Sequence, residues 1–371
     1  MIPAQPSPPP VVKTGARPKF GDNDGFQAEL RQRIDEYFRT TGKKQRDCPQ
    51  MYVKTGIILG LFFASYFVLV FLAQNWWQAV ATALVLGGAA GLIGFNIQHD
   101  GSHLAFSDRP WINKLAAVTM DMIGASSYMW HWKHVASHHI YVNITDHDAD
   151  VDLGALARVT PHQKRYFFHR VQHLYIWALY GFMTLRWHFY GDFRDLAVRD
   201  VGGQMIPRPR GKELAIFIAG KVVFFTLAFA LPLLFHVWWK VLVMYALVAC
   251  VVGVVLSIVF QLAHCVEEAD FPMPDAATNR MEENWMVHQI LTTVDFARRS
   301  RLLCWLLGGL NFQVEHHLFP RVCHVHYPAL SRIVENTCRE FGVRYNEHKT
   351  LWAGLVSHYR WLRRMGQPIR A

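Results

Sequence analysis

The chain reads TGIILGLFFASYFVLVFLAQNWWQAVATALVLGGAAGLIGFNIQ from residue 55 to residue 98, without one Asp, Glu, Lys or Arg. A helix of about 20 residues crosses a hydrocarbon core of about 30 Å, so these 44 residues are enough for two crossings. Trp76 and Trp77 interrupt the run, and Trp is typical of the membrane interface. The segment therefore predicts two membrane-spanning helices joined by a tight turn at 74–77.

A second apolar segment, 214–264, repeats this pattern with only Lys221 and Lys240 charged. Its turn is predicted at 236–240, which reads HVWWK. Two further runs are weaker candidates, because 115–132 contains an Asp and 174–185 has the length of an interfacial or buried helix. Only 18% of the chain is charged, below the roughly 25% of soluble domains. We predict an all-α integral membrane protein with four transmembrane helices in two hairpins.

Eight histidines beside these apolar segments form a pattern typical of metal ligands. Imidazole is the commonest protein ligand for iron, zinc, copper and nickel. Seven lie in three short groups, HDGSH, HVASHH and QVEHH, and one ends the last apolar segment. The eight are His99, His103, His134, His138, His139, His264, His316 and His317. Isolated histidines are more often hydrogen-bonded core residues, which we expect for His169, His188, His326 and His358.

The spacing within the groups indicates how the rings are oriented. Residues four apart share one face of an α-helix. The pair His99 and His103 is therefore expected to face one ion, and the pair His134 and His138 likewise. His139 is turned away from His138 by roughly 100° on an α-helix and is expected to serve a second ion. Eight imidazoles exceed the four ligands of a tetrahedral zinc site and fit two ions. Zinc would support hydrolysis, and iron would support oxidation of a substrate by dioxygen. These residues alone therefore do not identify the metal.

All ligands of one centre must lie on one side of the membrane. Four crossings put the three histidine groups on a common side, whereas a crossing by 115–132 would separate the first two groups. The segments that hold the histidines are rich in Lys and Arg, and the predicted turns carry one Lys between them. This asymmetry is typical of a cytoplasmic face. We therefore predict a cytosolic helical cap that carries the histidine groups.

The segments before the first span are less informative. Residues 1–24 are rich in proline and lack the apolar core of a signal peptide, which predicts a disordered tail. Apolar residues recur at helical spacing from Phe26 to Phe38. They indicate an amphipathic helix that lies on the membrane surface or, equally, a plain soluble-facing helix. The six cysteines show no C-x-x-C spacing, and a cytosolic face would keep them reduced.

These motifs resemble those of the membrane fatty acid desaturases. That family has a first box H-x-x-x-H, here 99–103, and a second box H-x-x-H-H or H-x-x-x-H-H, here 134–139. The third box begins with His in most members and with Gln in the front-end and cyanobacterial Δ6 type, as Gln313 does here. The sequences GGLNFQVEHHLFP at 308–320 and QRDCPQMYVKT at 45–55 also fit. The resemblance to the bacterial acyl-lipid Δ6 type extends from about residue 25 to the end of the chain.

The resemblance implies that 25–371 form one desaturase domain with two non-haem iron ions held by the eight histidines. Such a centre uses O2 and two electrons to introduce a cis double bond into an acyl lipid or acyl thioester bound in an apolar tunnel. Gln313 stands where many members have a ninth histidine. It and Asn143 are expected beside the ligands.

The electron donor is expected to be a separate protein, a ferredoxin or a cytochrome b5, because residues 1–50 lack the haem-binding His-Pro-Gly-Gly of a fused cytochrome. The net charge is +10, and Arg298, Arg299 and Arg301 lie close to the third box. Such a face would attract an acidic ferredoxin. It would equally suit anionic lipid headgroups or the phosphates of a thioester carrier. The charge could equally be no more than the usual excess of Lys and Arg on the cytoplasmic side of a membrane protein. Nucleic acid is not an expected partner, because no compact basic domain is present.

Two other functions compete with desaturation. A hydroxylase or an acetylene-forming enzyme on the same scaffold would need the same histidines. A metal transporter would need polar ligands near the middle of its spans, and residues 55–98 contain no histidine.

Overall fold

A computed structural model of the chain describes residues 17–22, 25–201 and 204–368. The predicted disordered tail, 1–24, lies largely outside the described residues. In the described part of the chain the α-helices, some of which contain a π-helical turn, are α1 (Phe26–Thr41), α2 (Pro49–Leu72), α3 (Trp76–Ser102), α4 (Pro110–Met122), α5 (Ser127–Trp130), α6 (His139–Tyr141), α7 (Gln172–Arg186), α8 (Asp192–Val198), α9 (Lys212–Leu233), α10 (Trp238–His264), α11 (Trp285–Leu291), α12 (Arg301–Leu306), α13 (Gln313–Leu318), α14 (Tyr327–Phe341) and α15 (Leu351–Gly366).

Two π-helical segments stand between these helices, His131–His138 and Trp187–Gly191. The 3-10 turns are Gly154–Leu156, Phe167–Val171 and His324–His326. The strands form two short pairs. β1 (Asp200–Val201) pairs antiparallel with β2 (Gln204–Met205), and β3 (Asp295–Phe296) pairs in parallel with β4 (Glu347–His348).

Four described helices are long and apolar enough to cross a membrane, namely α2, α3, α9 and α10. This number confirms the prediction, and the breaks at 73–75 and 234–237 coincide with the two predicted turns. The weaker candidates 115–132 and 174–185 fall on α4 and α7, which do not reach membrane length. α3 packs against both α2 and α10, and α10 packs along α7.

The outer surfaces of the four long helices are apolar and exposed. Large side chains such as Ile57, Phe67, Val222 and Leu242 have about half of their surface uncovered. An apolar surface of this extent is unfavourable in water and favourable in lipid. The chain is therefore a membrane protein.

Helix α1 packs against the protein. Phe26, Leu30, Ile34 and Phe38 are buried in one cluster with residues of α11, α13 and α14. The apolar face predicted from the sequence is therefore correct. Of the two alternatives for that face, the membrane surface is wrong, because protein covers it. The polar face of α1 is tied to α14 by Arg33, whose Nη2 lies 2.5 Å from a carboxylate oxygen of Glu340.

Two glycines allow close approach of the elements around the site. A Cβ on Gly253 of α10 would lie 2.4 Å from the carbonyl oxygen of Tyr180 on α7. Gly308 has a φ of +61°, and a Cβ there would lie 2.3 Å from the carbonyl oxygen of Phe95 on α3. Side chains at these positions would push the neighbouring elements apart. Gly308 thus holds the segment before α13 against α3.

Candidate metal centre

The eight predicted histidines converge from five parts of the chain. α3 and the residue after it supply His99 and His103, and α10 ends at His264. The second box is split between the π-helical segment and α6, and the third lies on α13. All eight side chains are buried, the most exposed being His134 at 8%. Their ring nitrogens form overlapping groups in which the nitrogens lie within 4.8 Å of one another.

Two principal groups are separated within this cluster. The first group contains His99, His103, His134 and His316. The second group contains His138, His264 and His317. His139 lies between them, because its ring is within the same limit of both His316 and His317. This arrangement suits two neighbouring ions.

The π-helical segment determines which group each histidine of the second box joins. In a π-helix the hydrogen bonds run from residue i to i+5, so residues five apart approach each other. His134 and His139 have this separation, and their Nε2 atoms lie 3.2 Å apart. His138 instead points to the second group, with its ring centre 4.8 Å from that of His264. The α-helical geometry assumed for the second box is therefore wrong. His134 lies against His139, and His138, which was expected to share the ion of His134, lies in the second group.

The hydrogen bonding of the rings fits a metal site. Metal-binding histidines usually donate their second ring N–H to an outer partner. Five of the eight use Nδ1 in this way, and the Nε2 atoms of His138, His264 and His317 have no hydrogen-bond partner although they are buried. Unpartnered buried nitrogens are costly. A cation between the rings would satisfy them.

The spacing between rings is also compatible with shared ions. His139 Nε2 lies 3.0 Å from His316 Nε2 and 3.2 Å from His134 Nε2. Two nitrogens about 2.1 Å from one ion and at right angles to each other are about 3 Å apart. The residues therefore fit bound metal.

Five outer partners orient the candidate ligands. Asp150 and Asp148 lie 3.2 and 2.9 Å from Nδ1 of His134 and His138, respectively. The other three contacts are His264 Nδ1 to the Thr292 carbonyl oxygen at 3.4 Å, His316 Nδ1 to the Tyr327 hydroxyl at 3.3 Å and His317 Nδ1 to Gln289 Oε1 at 3.1 Å. The sequence offers an acidic run after the second box. It has no signal that singles out Gln289 or Tyr327, which approach only through folding.

Asn143 and Gln313 lie beside the ligands. Asn143 is fully buried and adopts a φ of 58°. The two hydrogens of its Nδ2 are shared among three carbonyl oxygens within hydrogen-bond distance. These belong to His264, Asp270 and Thr292, at 3.0 to 3.2 Å. Asn143 therefore joins the second box to the end of α10. Gln313 is buried and lines the cavity described below, close to His316.

The buried rings favour the neutral form that binds metal. Burial and neighbouring histidines hold the pKa of His103, His139, His316 and His317 well below the ordinary value. Burial also acts on His138, but the carboxylates of Asp148 and Asp150 outweigh it and raise the pKa of that ring.

A cavity of about 580 Å³ opens beside the first histidine group. Its walls include His99, His134 and His316 at one end and follow α10 from Gln261 back to Val252. The nine helical steps between these two residues correspond to about 14 Å of cavity wall. Most of the remaining wall is apolar, and the volume is typical of small-molecule sites. The cavity suits a long apolar chain with one segment next to the histidines.

The four isolated histidines are hydrogen-bonded core residues, as predicted. His169 and His358 bond to the carbonyl oxygens of Ala155 and Cys265. His188 contacts the Tyr245 hydroxyl and the Ile123 carbonyl, and His326 contacts the Lys44 carbonyl.

The basic patch predicted near the third box is smaller than the sequence indicates. Arg298 is only 14% exposed and forms ion pairs with Glu335 at 3.0 Å and with Glu347. Its inclusion in a docking surface is therefore wrong. Arg299 and Arg301 are exposed.

Comparison with known proteins shows which family the sequence is similar to. The sequence model of the fatty acid desaturase family matches residues 75–349. The chain is 36% identical to the sn-1 linoleoyl-lipid 6-desaturase of Arthrospira platensis, over 96% of both proteins. It is 37% identical to the protein of the same name from a Synechocystis species, over 95% of this chain and 99% of that protein. An acyl-lipid (8-3)-desaturase of Physcomitrium patens is 35% identical, over 93% of this chain and 72% of that protein.

Proposed function

The chain belongs to the fatty acid desaturase family, and we propose that it introduces a cis double bond into a fatty acyl lipid at a centre of two non-haem iron ions. Members of this family are oxidoreductases that use O2. The observation that carries the proposal is the cavity that runs along α10 and ends against the first histidine group. It offers an apolar path for an acyl chain to buried metal ligands.

Two iron ions are proposed from the ligand set. The first group with His139 and the second group provide eight imidazoles, all buried, in two neighbouring clusters. When bound there, iron would supply the activation of dioxygen and the two-electron oxidation of the chain. A desaturase needs this redox chemistry, which zinc does not support.

The protein's own residues would orient the reaction. Asp148 and Asp150 fix the direction of two rings of the second box, and Asn143 fixes the end of α10. The cavity wall would hold the acyl chain extended and exclude water. Val252, Leu256 and Phe260 line this part of it. A fixed chain position relative to the ions then determines which carbons lose hydrogen.

The position of the double bond is proposed from the relatives. Two proteins that match almost the whole chain are named sn-1 linoleoyl-lipid 6-desaturases. We therefore propose a Δ6, front-end reaction on acyl chains of membrane lipids.

The test is expression in a host of known lipid composition, followed by mass spectrometry of its fatty acids. A new cis double bond at Δ6 is expected. A hydroxylated or acetylenic product would favour the alternative oxidation on this scaffold. An unchanged profile from an iron-loaded enzyme supplied with reductant would contradict the proposal.

The membrane orientation is proposed from the shared position of the ligands. We infer two hairpins, α2 with α3 and α9 with α10, with the histidines in a cap on the cytoplasmic face. His99 and His264 lie at the carboxyl ends of α3 and α10, which meet on one side if both hairpins have the same orientation.

Thiol labelling in sealed vesicles with the cytoplasmic face outward tests this orientation. Lys43→Cys and Leu115→Cys, both at exposed positions, should react with a membrane-impermeant maleimide. Gln74→Cys, exposed in the turn after α2, should react only after detergent is added. The reverse pattern, or labelling of Leu115→Cys from the other side, would contradict the cap.

Electrons are proposed to come from an acidic ferredoxin that docks near Arg299 and Arg301. Arg298 is not part of this docking surface, because it forms ion pairs with Glu335 and Glu347. Two exposed guanidinium groups would increase the rate of encounter with an anionic partner.

The double variant Arg299→Glu/Arg301→Glu should turn over several-fold more slowly with reduced ferredoxin at low salt, and its rate should depend less on salt. The control is Arg31→Glu/Lys43→Glu, which makes the same charge change at two exposed positions in and after α1. Equal rates for the wild type and the first variant would place electron entry elsewhere. An equal loss in both variants would indicate an effect of net charge alone.

A further inference from the structure

Two cysteines that are distant in sequence meet at the start of α2. Cys48 is the last residue before that helix, and Cys323 follows α13, which carries two candidate ligands. Both are buried in one cluster, and each side chain is close enough to shift the pKa of the other. The backbone holds them together, because the Cys323 amide donates to the Gln45 carbonyl oxygen at 2.8 Å.

The surroundings of Cys48 favour the thiolate. The side chain lies at the N-terminus of a membrane-length helix, where the helix dipole stabilises negative charge. His326 Nε2 lies 3.4 Å from its sulfur and 2.9 Å from the Lys44 carbonyl oxygen. A carbonyl only accepts, so this Nε2 carries the proton and can also donate to sulfur.

The two thiols therefore differ in pKa. The hydrogen bond from Cys323 and the contact with His326 outweigh burial and lower the pKa of Cys48 to about 5. The same hydrogen bond, together with burial, raises the pKa of Cys323 well above its ordinary value. One group is thus a nucleophile and the other a proton donor at neutral pH.

We propose that Cys48 and Cys323 form a peroxide-reactive thiol pair, in which Cys48 is oxidised first and Cys323 then closes a disulfide. The Cys48 thiolate attacks one oxygen of hydrogen peroxide, forming a sulfenic acid and releasing hydroxide. The Cys323 sulfur then attacks the Cys48 sulfur, and the S–O bond breaks. The hydroxyl group leaves with the Cys323 proton as water. Overall, two thiols and one peroxide give one disulfide and two waters.

A metal site is a poorer explanation of this cluster. Asp100, Cys323 and His324 lie close enough together to hold an ion. Both ring nitrogens of His324 are already engaged, however, Nδ1 with Asp100 at 2.9 Å and Nε2 with the Lys54 ammonium at 3.1 Å. A buried ammonium beside the ring would repel a cation.

The disulfide would join the start of α2 to the segment that follows the third box. It would also end the contact between the Cys48 thiolate and His326. This modification is independent of the proposed acyl chemistry, and its test measures sulfur chemistry directly.

The test treats the purified full-length enzyme in detergent with a small excess of hydrogen peroxide. The intact protein should become lighter by two hydrogen atoms, and digestion should give a peptide pair linked through Cys48 and Cys323. In Cys323→Ser the sulfenic acid should persist and be trapped by dimedone on Cys48. Cys304→Ser is the matched control, because it removes a half-buried thiol elsewhere, and it should form the disulfide as the wild type does.

The pH dependence of alkylation gives a second measurement. A thiol with a pKa of about 5 is already ionised at pH 6, so labelling of Cys48 should change less than about twofold between pH 6 and 8. Labelling of Cys304, whose pKa is raised by burial, should increase about tenfold per pH unit. An unchanged mass after peroxide, a disulfide that excludes Cys48, or a dimedone adduct mainly on another cysteine would overturn the proposal.

Discussion

Replacing His138 with alanine should reduce desaturation to background and lower the iron content from two ions per chain to about one. The ring is fully buried, its Nδ1 is fixed by Asp148 at 2.9 Å, and its Nε2 has no hydrogen-bond partner among the described residues. Without it, the second group keeps only His264 and His317. Two imidazoles are too few to retain the ion, so the measurement is iron per chain by elemental analysis, together with the fatty acid profile.

The control for this prediction is His169→Ala. His169 is equally buried, but it bonds to the Ala155 carbonyl and has no contact with the eight histidines. It should keep both iron and activity in the protein that inserts into the membrane. Two irons per chain and normal product in His138→Ala would remove this residue from the centre. One zinc and no iron in the wild type would refute the oxidative function itself.

Replacing Asp148 with asparagine should lower iron affinity or activity about 10- to 100-fold, as is typical for outer partners of metal ligands. The carboxylate accepts from His138 Nδ1, from the Asn143 amide at 3.0 Å and from the Asp150 amide at 2.9 Å. All three groups are donors. An amide side chain therefore directs an N–H at one of them, whichever way it is turned.

Asp146→Asn makes the same chemical change two residues earlier, at an exposed position. Its φ of 68° suits asparagine as well as aspartate. Iron content and turnover should stay close to the wild-type values. If both variants lose activity to the same degree, the effect comes from the charge of the acidic run and not from the orientation of His138.

The four membrane-length helices and the eight histidines were predictable, because each leaves a local signal. An uncharged run of 44 residues can be recognised without knowing what it packs against. The histidine pairs can be recognised because they repeat at short spacing. The contacts of α1 were not determined by its own sequence. The apolar face from Phe26 to Phe38 suits lipid or protein equally, and the packing of α11, α13 and α14 against it decides between them.

Two side-chain partners of the candidate metal ligands, Gln289 and Tyr327, could not be predicted for the same reason. Gln289 and Tyr327 lie on helices with no motif of their own and reach His317 and His316 only in the folded chain. Arg298 resembles its exposed neighbours in sequence, yet Glu335 and Glu347 approach it from distant segments. Contacts between side chains that are 11 to 49 residues apart leave no periodicity to detect.

The π-helical turn at His131–His138 offers an account of why the second box of this family exists in two lengths. With three residues between the first and the paired histidines, the first and last are five apart and meet on a π-helix, as His134 and His139 do. With two residues between them, they are four apart and would meet on an ordinary α-helix. An insertion of one residue is thus absorbed by widening one turn. We expect members with the shorter box to keep the same ligand contacts on a regular helix.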